Sequence, residues 1–137
     1  MTDAAFRNAL GAEGIIHSPL SRFLGLEFIP ASDGRDAEVR MPFSDNLRRQ
    51  DMEEILHGGV MASLVDLTGA WVVTASGAIP GPTVDYRIDY LRAAHAVEHT
   101  ARGHIVERDA GYVLVDVTVE DNRGRAVVAA RLRYVAV

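Results

Sequence analysis

The sequence contains no cysteine, and all 14 of its basic residues are arginine. The absence of cysteine excludes disulfide bonds, thiolate nucleophiles and cysteine-ligated metals, so any chemistry must use carboxylate, histidine, hydroxyl or backbone groups. With 19 acidic residues, the formal net charge is -5. This charge argues against a general role in nucleic-acid binding, because such binding depends on basic contacts to phosphates.

Long uninterrupted apolar runs are also missing. The most apolar stretch, Val60 to Val73, is interrupted by Ser63, Asp66 and Thr68, so the sequence predicts no membrane-spanning segment. The N-terminus has neither a basic start nor an apolar signal core, and we therefore expect a cytoplasmic protein. The length of 137 residues and the hydrophobic content of 48% predict a single domain over residues 1–137.

The first part of the chain predicts a helix and then a hairpin. Phe6 and Leu10 have the i, i+4 spacing that places two apolar side chains on one face, which predicts a short helix in the peripheral residues 1–18. The later half of Leu20 to Pro30 alternates like a strand, and Ala37 to Met41 continues after a turn. We therefore expect a first β-hairpin.

One long helix is predicted at the centre of the chain. The segment Leu56 to Gly77 is apolar on nearly every side and ends in a glycine, which predicts a helix that is buried all round. Its β-branched residues would also suit a strand, but its length favours a helix. The preceding segment, Pro42 to Glu54, has no steady period and predicts an exposed connection. Four strands should follow: Thr83 to Leu91, Val97 to Glu107, Tyr112 to Glu120 and Ala126 to Val137.

This order of elements predicts an α+β fold. Adjacent strands joined by short turns imply an antiparallel sheet. One very apolar helix, inserted after the second strand, should pack across the concave face of that sheet.

The architecture and three local motifs resemble the PaaI-like acyl-coenzyme A thioesterases of the hotdog superfamily. The motifs are His57-Gly58-Gly59, Asp66 nine residues after the histidine, and the strand that begins Thr83-Val84-Asp85. The resemblance covers roughly Asp51 to the C-terminus. It implies a hotdog fold, in which an antiparallel sheet wraps around one long central helix. It also implies an acyl-coenzyme A substrate, and neither a metal nor a cofactor apart from the coenzyme A of that substrate.

Asp66 is the first candidate for catalysis. A carboxylate between Val65 and Leu67 should be desolvated, so it is either functional or paired with Ser63 or a neighbouring chain. In the resembling enzymes this carboxylate activates a water as a general base or attacks the thioester carbonyl, and the sequence does not separate the two routes. Thr83 aligns with a Ser or Thr that helps hold the water or the carboxylate; alternatively it is an ordinary strand residue.

Gly58, in the first turn of the predicted helix, is the candidate oxyanion donor, because free backbone N–H groups lie there. Gly59 serves either the site or close packing of the helix. His57 either orders the loop and the thioester or is a structural hydrogen-bonding group. Asp51 stands where the resembling proteins often carry an amide donor. An ionised aspartate cannot donate, so Asp51 is protonated, or has another role, or Asn46 replaces it.

The resemblance also implies a coenzyme A site built from two segments, the end of one strand and the following hairpin. Arginines there suit phosphate groups, or are simply solvated strand ends. The implied contacts are Tyr90, Leu91, Arg92, Arg108, Gly111 and Tyr112.

The spacing of Gly58 and Asp66 requires more than one chain at the site. Eight residues on a helix span about 12 Å along the axis, so one helix cannot place both groups on one carbonyl. A two-fold dimer with antiparallel central helices would bring Gly58 of one chain beside Asp66 of the other, as the resemblance also implies. We expect a homodimer that pairs into a dimer of dimers.

Two other functions fit the same fold. Hydration or dehydration of acyl thioesters also uses a histidine and a helix carboxylate, whereas a non-catalytic acyl-coenzyme A sensor would normally need an effector domain. The acyl group is not revealed. Leu64, Leu67 and Trp71 would wall an aryl or a short- to medium-chain pocket, or serve a plain core.

Overall fold

The computed structural model describes residues 11–136, so most of the predicted N-terminal helix lies outside the described residues. Two short helices precede the sheet, α1 (Ala12–Ile16) and α2 (Pro19–Leu24). Ile15 of α1 is buried, and α1 contacts the central helix. The described end of the N-terminal segment is therefore part of the packed structure.

Six strands form one antiparallel sheet, as predicted. Their order across the sheet is β1-β2-β4-β5-β6-β3, and the predicted first hairpin is the β1–β2 pair. Their bounds are β1 (Glu27–Ile29), β2 (Ala37–Met41), β3 (Pro80–Tyr90), β4 (His99–Arg108), β5 (Tyr112–Glu120) and β6 (Ala126–Ala136).

The central helix, α3, spans Gly58–Ala75 and contacts every strand from β2 to β6. It begins after His57, and Gly77 follows it with a φ of 86°, a left-handed conformation that suits glycine. By length and composition α3 could cross a membrane, although no membrane-spanning segment was predicted from the sequence. Its residues Leu64 and Val65 are fully buried in the core of this chain, as in the core helix of a globular domain.

The prediction that this helix is buried all round is wrong for the single chain. Ala62, Ser63, Asp66 and Ala70 are only half-buried. The sheet of one chain buries the side of α3 that carries Leu64, Val65 and Thr68 and leaves the side with these four residues partly accessible. This side of the helix therefore remains available to a substrate or another chain.

The connection before α3 is also less exposed than predicted. Leu47, in a short 3-10 helix over Asp45–Leu47, is fully buried. Its carbonyl accepts a hydrogen bond from His57 N at 2.9 Å, and Leu56 N donates to Ala94 O at 2.8 Å. An apolar side chain in the core thus anchors the loop that leads into the helix.

The two edges of the sheet differ in length and exposure. β1 has three residues, and its Ile29 O accepts a hydrogen bond from the Trp71 side chain. β3 has 11 residues, and Tyr86 and Tyr90 are exposed on it. An irregularity in the β3–β6 pairing follows Thr83, which pairs with Tyr134. Paired residues share a face of the sheet, so Thr83 and Tyr134 both face α3.

Candidate active site

Asp66 lies on the half-buried side of α3, within reach of two hydroxyl groups from the sheet. Thr83 Oγ1 donates to Asp66 Oδ1 at 2.8 Å. Tyr134 Oη donates to the main-chain oxygen of Asp66 at 2.8 Å and lies 3.3 Å from Oδ1. Among residues 11–136, no group donates to Oδ2. Ser63, the partner considered from the sequence, instead donates to Gly59 O.

The two tyrosines near Asp66 remain neutral. Burial raises the pKa of the Tyr134 hydroxyl, and the Asp66 charge raises it further. Burial also raises the pKa of Tyr86, again with a contribution from Asp66. Neutral phenols donate hydrogen bonds but do not act as bases, so the carboxylate is the group here that can accept a proton. In the described part of the chain, no cluster of three His, Asp or Glu side chains could hold a metal ion.

The first turn of α3 leaves one backbone donor unused. His57 is the N-cap residue, and its Nδ1 accepts a hydrogen bond from Gly59 N at 2.8 Å. His57 O accepts from Val60 N at 3.0 Å and from Met61 N at 3.4 Å. Gly58 N donates to no residue within the described range. His57 thus accepts hydrogen bonds from the N–H groups of Gly59, Val60 and Met61, whereas the Gly58 N–H stays free.

This capping explains both His57 and Gly59. Because His57 Nδ1 accepts a hydrogen bond from Gly59 N–H, this nitrogen carries no proton of its own, and the ring proton lies on Nε2. A Cβ atom on Gly59 would lie 3.0 Å from His57 Nδ1, which is too close without a shift of the ring. A side chain at Gly59 would therefore crowd the histidine cap. The alternative considered from the sequence, close packing of Gly59 on the sheet, does not apply because Gly59 is exposed.

Tyr90 packs against Gly58. Its hydroxyl donates to Gly58 O at 2.8 Å, and its ring would be 3.6 Å from a Cβ atom on Gly58. A cleft of about 350 Å³ opens here, lined in part by Gly58, Met61, Tyr90 and Arg92. Two residues predicted to contact coenzyme A therefore share a cleft with the predicted oxyanion donor.

The other side-chain and backbone groups at this strand end bind β6. Arg92 donates to Ala126 O, and Leu91 N donates to Val127 O at 2.9 Å. The Leu91 side chain is exposed. Arg92 is thus held at the rim of the cleft by one of its guanidinium nitrogens.

The second predicted coenzyme A segment lies at the opposite end of α3. Arg108 donates to Ser76 Oγ at 2.7 Å, just beyond the C-terminus of the helix. Tyr112 donates to Glu107 at 3.3 Å, and Gly111 is exposed with open space around it. One chain therefore does not bring Arg92 and Arg108 together.

Neither candidate for the second oxyanion donor reaches the helix. Asp51 is exposed in a turn in which Met52 has a φ of 65°. Asn46 Oδ1 accepts a hydrogen bond from Ser44 at 2.6 Å. In the part of the chain that the structure describes, neither side chain bonds to the first turn of α3.

Sequence reasoning missed Tyr134 and Tyr86. Tyr134 lies in a strand whose alternation marks it as inward-facing, but nothing local assigns it to Asp66. A usable signal was Gly69, a glycine in the middle of a helix and three residues after the candidate carboxylate. Such a glycine indicates that another group approaches the helix closely.

The six-stranded antiparallel sheet around one long helix is a fold of the hotdog type, and sequence comparison gives the family. The family model for the thioesterase superfamily matches residues 53–128. The chain therefore belongs to the thioesterase superfamily. A relative from Halobacterium salinarum, described only as a candidate esterase, is 36% identical over 110 residues. That match covers 75% of this chain, and the chain spans 65% of the relative's length.

Solved structures show the same fold. The PaaI protein of the E. coli phenylacetic acid degradation operon is 20% identical with a TM-score of 0.76, covering 88% of this chain and 86% of that one. A hypothetical thioesterase from Streptococcus pneumoniae TIGR4, solved with coenzyme A, is 23% identical with a TM-score of 0.72, covering 82% of this chain and 85% of that one. The predicted PaaI-like hotdog fold is confirmed.

Proposed function

We propose that the protein is an acyl-coenzyme A thioesterase that hydrolyses a small aryl or a short- to medium-chain thioester. The observation that carries the proposal is the Asp66 carboxylate, which is held at Oδ1 by Thr83 and free at Oδ2 on the open side of α3. Membership of the thioesterase superfamily supports the same chemistry. The reaction needs no cofactor, since coenzyme A is part of the substrate.

Two routes use this carboxylate. As a general base, Asp66 takes a proton from water while the water oxygen bonds to the thioester carbon; the C–S bond then breaks, and the departing thiolate of coenzyme A takes up that proton, which restores the carboxylate. As a nucleophile, Oδ2 bonds to that carbon, coenzyme A leaves as thiolate, and water hydrolyses the resulting anhydride. In both routes the free Gly58 N–H, at the positive end of the α3 dipole, donates to the developing oxyanion.

The site is composite and requires a homodimer. Gly58 and Asp66 lie at different heights on α3, about 12 Å apart along its axis. The open side of α3 would accept a second helix, with Ala62 and Ser63 permitting close approach. β3 is an unpaired edge strand of 11 residues, and an exposed edge of this length is a template for pairing. Antiparallel pairing would place Gly58 of one chain beside Asp66 of its partner.

The same dimer would complete the coenzyme A site. Arg92 and Arg108 lie at opposite ends of α3 in one chain, and an antiparallel partner helix would bring the two ends together. One structural neighbour was solved with coenzyme A, which supports the choice of thiol. Arg92 and Arg108 would then bind phosphate oxygens. Pairing of two dimers into a tetramer belongs to the same proposal.

The substrate would come from the cytoplasmic acyl-coenzyme A pool, without a nucleic-acid or membrane partner. A net charge of -5 disfavours binding to anionic surfaces of either kind.

A thiol-release assay tests the function. The purified protein is given aryl, short-chain, medium-chain and long-chain acyl-coenzyme A substrates, and free thiol is measured with a coupled colour reagent. We expect release from aryl or short- to medium-chain substrates. Hydration of a double bond without thiol release would show a hydratase instead, and binding without turnover would show a non-catalytic acyl-coenzyme A binding protein.

A further inference from the structure

The Tyr134 hydroxyl contacts Asp66 across the surface of the central helix, at the position where Gly69 has no side chain. The side chain is 1% exposed, and its hydroxyl lies 2.8 Å from the Asp66 main-chain oxygen and 3.3 Å from Oδ1. A Cβ atom on Gly69 would lie only 2.2 Å from Tyr134 Oη and 3.0 Å from its Cζ. No side chain larger than that of glycine fits there without displacing the tyrosine. The missing side chain of Gly69 is thus the notch that seats the hydroxyl.

The tyrosine acts together with Thr83. The two residues pair in the β3–β6 register, so the sheet presents both hydroxyls to the same turn of α3. Thr83 donates to Oδ1, and the single proton of Tyr134 goes to the nearer main-chain oxygen. The Thr83 hydrogen bond therefore holds the carboxylate, and the Tyr134 hydrogen bond holds the helix turn that carries it.

We propose that Tyr134 is a positioning residue for Asp66: its hydroxyl, seated in the Gly69 notch, fixes the helix turn that carries the carboxylate, while Thr83 binds Oδ1. Oδ2 is then the oxygen presented to the water or the thioester. The inference rests on the proposed function and adds a residue that acts through Asp66 without touching the substrate. It also gives Gly69 a specific role, because a helix side chain there would push the tyrosine out of its seat.

Thr68 supplies a matched control for the removal of this hydroxyl. Its Oγ1 is also buried in the same helix and donates to a helix carbonyl, that of Leu64, at 2.6 Å. Thr68→Val and Tyr134→Phe therefore each remove one buried hydroxyl that binds a main-chain oxygen of α3. Only the tyrosine is next to the Asp66 carboxylate.

The first measurement compares kcat and KM of the two variants. We expect Tyr134→Phe to lower kcat about tenfold with KM within about twofold of wild type, since small misplacement of a reacting group costs rate more than binding. Thr68→Val should keep kcat within about twofold, at a comparable fall in melting temperature.

A second measurement needs no substrate. Melting temperatures are recorded for Gly69→Ala, Tyr134→Phe and the double variant. We expect Gly69→Ala to lower the melting temperature strongly in the wild-type background and clearly less in the Tyr134→Phe background, because the closest clash is with the hydroxyl that phenylalanine lacks. Additive changes would overturn the proposed seat of Tyr134.

The outcomes separate this inference from the proposed function. If wild-type protein releases no thiol from any thioester, the proposed function fails and the positioning role fails with it. If wild type turns over and Tyr134→Phe matches Thr68→Val in kcat, only the positioning role fails. A selective loss of kcat together with a non-additive melting cycle supports both.

Discussion

Two groups of α3 have roles in the proposed reaction, the Gly58 N–H and the Asp66 carboxylate, and these two points are held in place in different ways. At Gly58, the contacts that leave the N–H free come from adjacent residues, with His57 capping Gly59. At Asp66, the contacts come from distant strands, 17 residues away for Thr83 and 68 for Tyr134. The free Gly58 N–H therefore results from local backbone geometry, although Tyr90 of β3 also binds Gly58 O, whereas the contacts that hold the Asp66 carboxylate exist only once the sheet has formed.

Because of this difference, substitutions near Gly58 and substitutions near Asp66 should affect catalysis to different extents. A local cap tolerates any residue that supplies the same acceptor, because it is formed within one helix turn. A carboxylate held by groups from two strands depends on the registers of both. We therefore expect substitutions near Asp66 to affect catalysis more specifically than substitutions at His57.

The largest effect is expected at the carboxylate. Asp66→Asn should lower kcat at least about 100-fold with the fold intact, since it removes the base or nucleophile while keeping the shape. Steady-state thiol release and circular dichroism measure the two properties. Asp89→Asn is the matched control, because the Asp89 carboxylate pairs, within residues 11–136, only with the exposed Arg87. Activity of Asp66→Asn within a few-fold of wild type would remove Asp66 from the mechanism.

Complementation tests whether the two points meet across a dimer. Asp66→Ala and Gly58→Val chains are each expected to be inactive as homodimers, because one lacks the carboxylate and the other has a side chain in front of the oxyanion donor. A Cβ at Gly58 makes only ordinary contacts with Tyr90, at 3.6 Å, so the valine chain should fold.

In a mixed dimer of these chains, one site carries both lesions and the other carries neither. Random pairing at an equal ratio makes about half the dimers mixed, so about a quarter of wild-type activity should return after co-refolding. Sedimentation verifies the dimer, and two distinguishable affinity tags isolate the mixed species. Isolated mixed dimers that stay inactive would show that Gly58 and Asp66 do not meet across the interface.

The same contrast explains which features could be predicted from the sequence. The long helix and the strands have strong hydrophobic periods, and His57-Gly58-Gly59 is a local motif. The elements and the start of the helix could therefore be predicted from the sequence. Tyr134 was missed because its contact with Asp66 depends on β6 lying beside β3, and no local pattern encodes that register. Burial of Leu47 was missed because a single apolar residue in a polar loop has no periodic signal.

His57 gives a smaller, structural effect. His57→Ala should lower the free energy of unfolding by about 1 kcal/mol, because Gly59 N loses its cap. Asparagine is a preferred N-cap residue, so His57→Asn should recover most of that stability and keep kcat within about threefold of wild type. Thermal unfolding and thiol release are measured for both variants. If His57→Asn is as unstable as His57→Ala, the cap is not the role of this histidine.

The smallest effect concerns the acid sensitivity of folding and the buried residue His99 in β4. His99 is fully buried, and its segment follows Ala94, whose carbonyl holds Leu56 just before the helix. Burial lowers the pKa of His99, while its Nδ1–H donates to Val97 O. The folded protein therefore resists protonation of this ring more than the unfolded chain does.

Below the unfolded histidine pKa of about 6.5, the unfolded chain binds the extra proton first, so stability should fall with pH until the lowered pKa of the folded state is reached. A single histidine of this kind can change the free energy of unfolding by at most about 1.4 kcal/mol per pH unit. The free energy of unfolding, measured between about pH 7.5 and pH 5, should fall less steeply in His99→Leu than in wild type. Asp121 does not interfere, because its pKa is lowered to about 2 and its contribution is lost only in stronger acid. Equal slopes in the two proteins would show that His99 is not the group that couples acid to unfolding, whatever the absolute stability of the leucine variant.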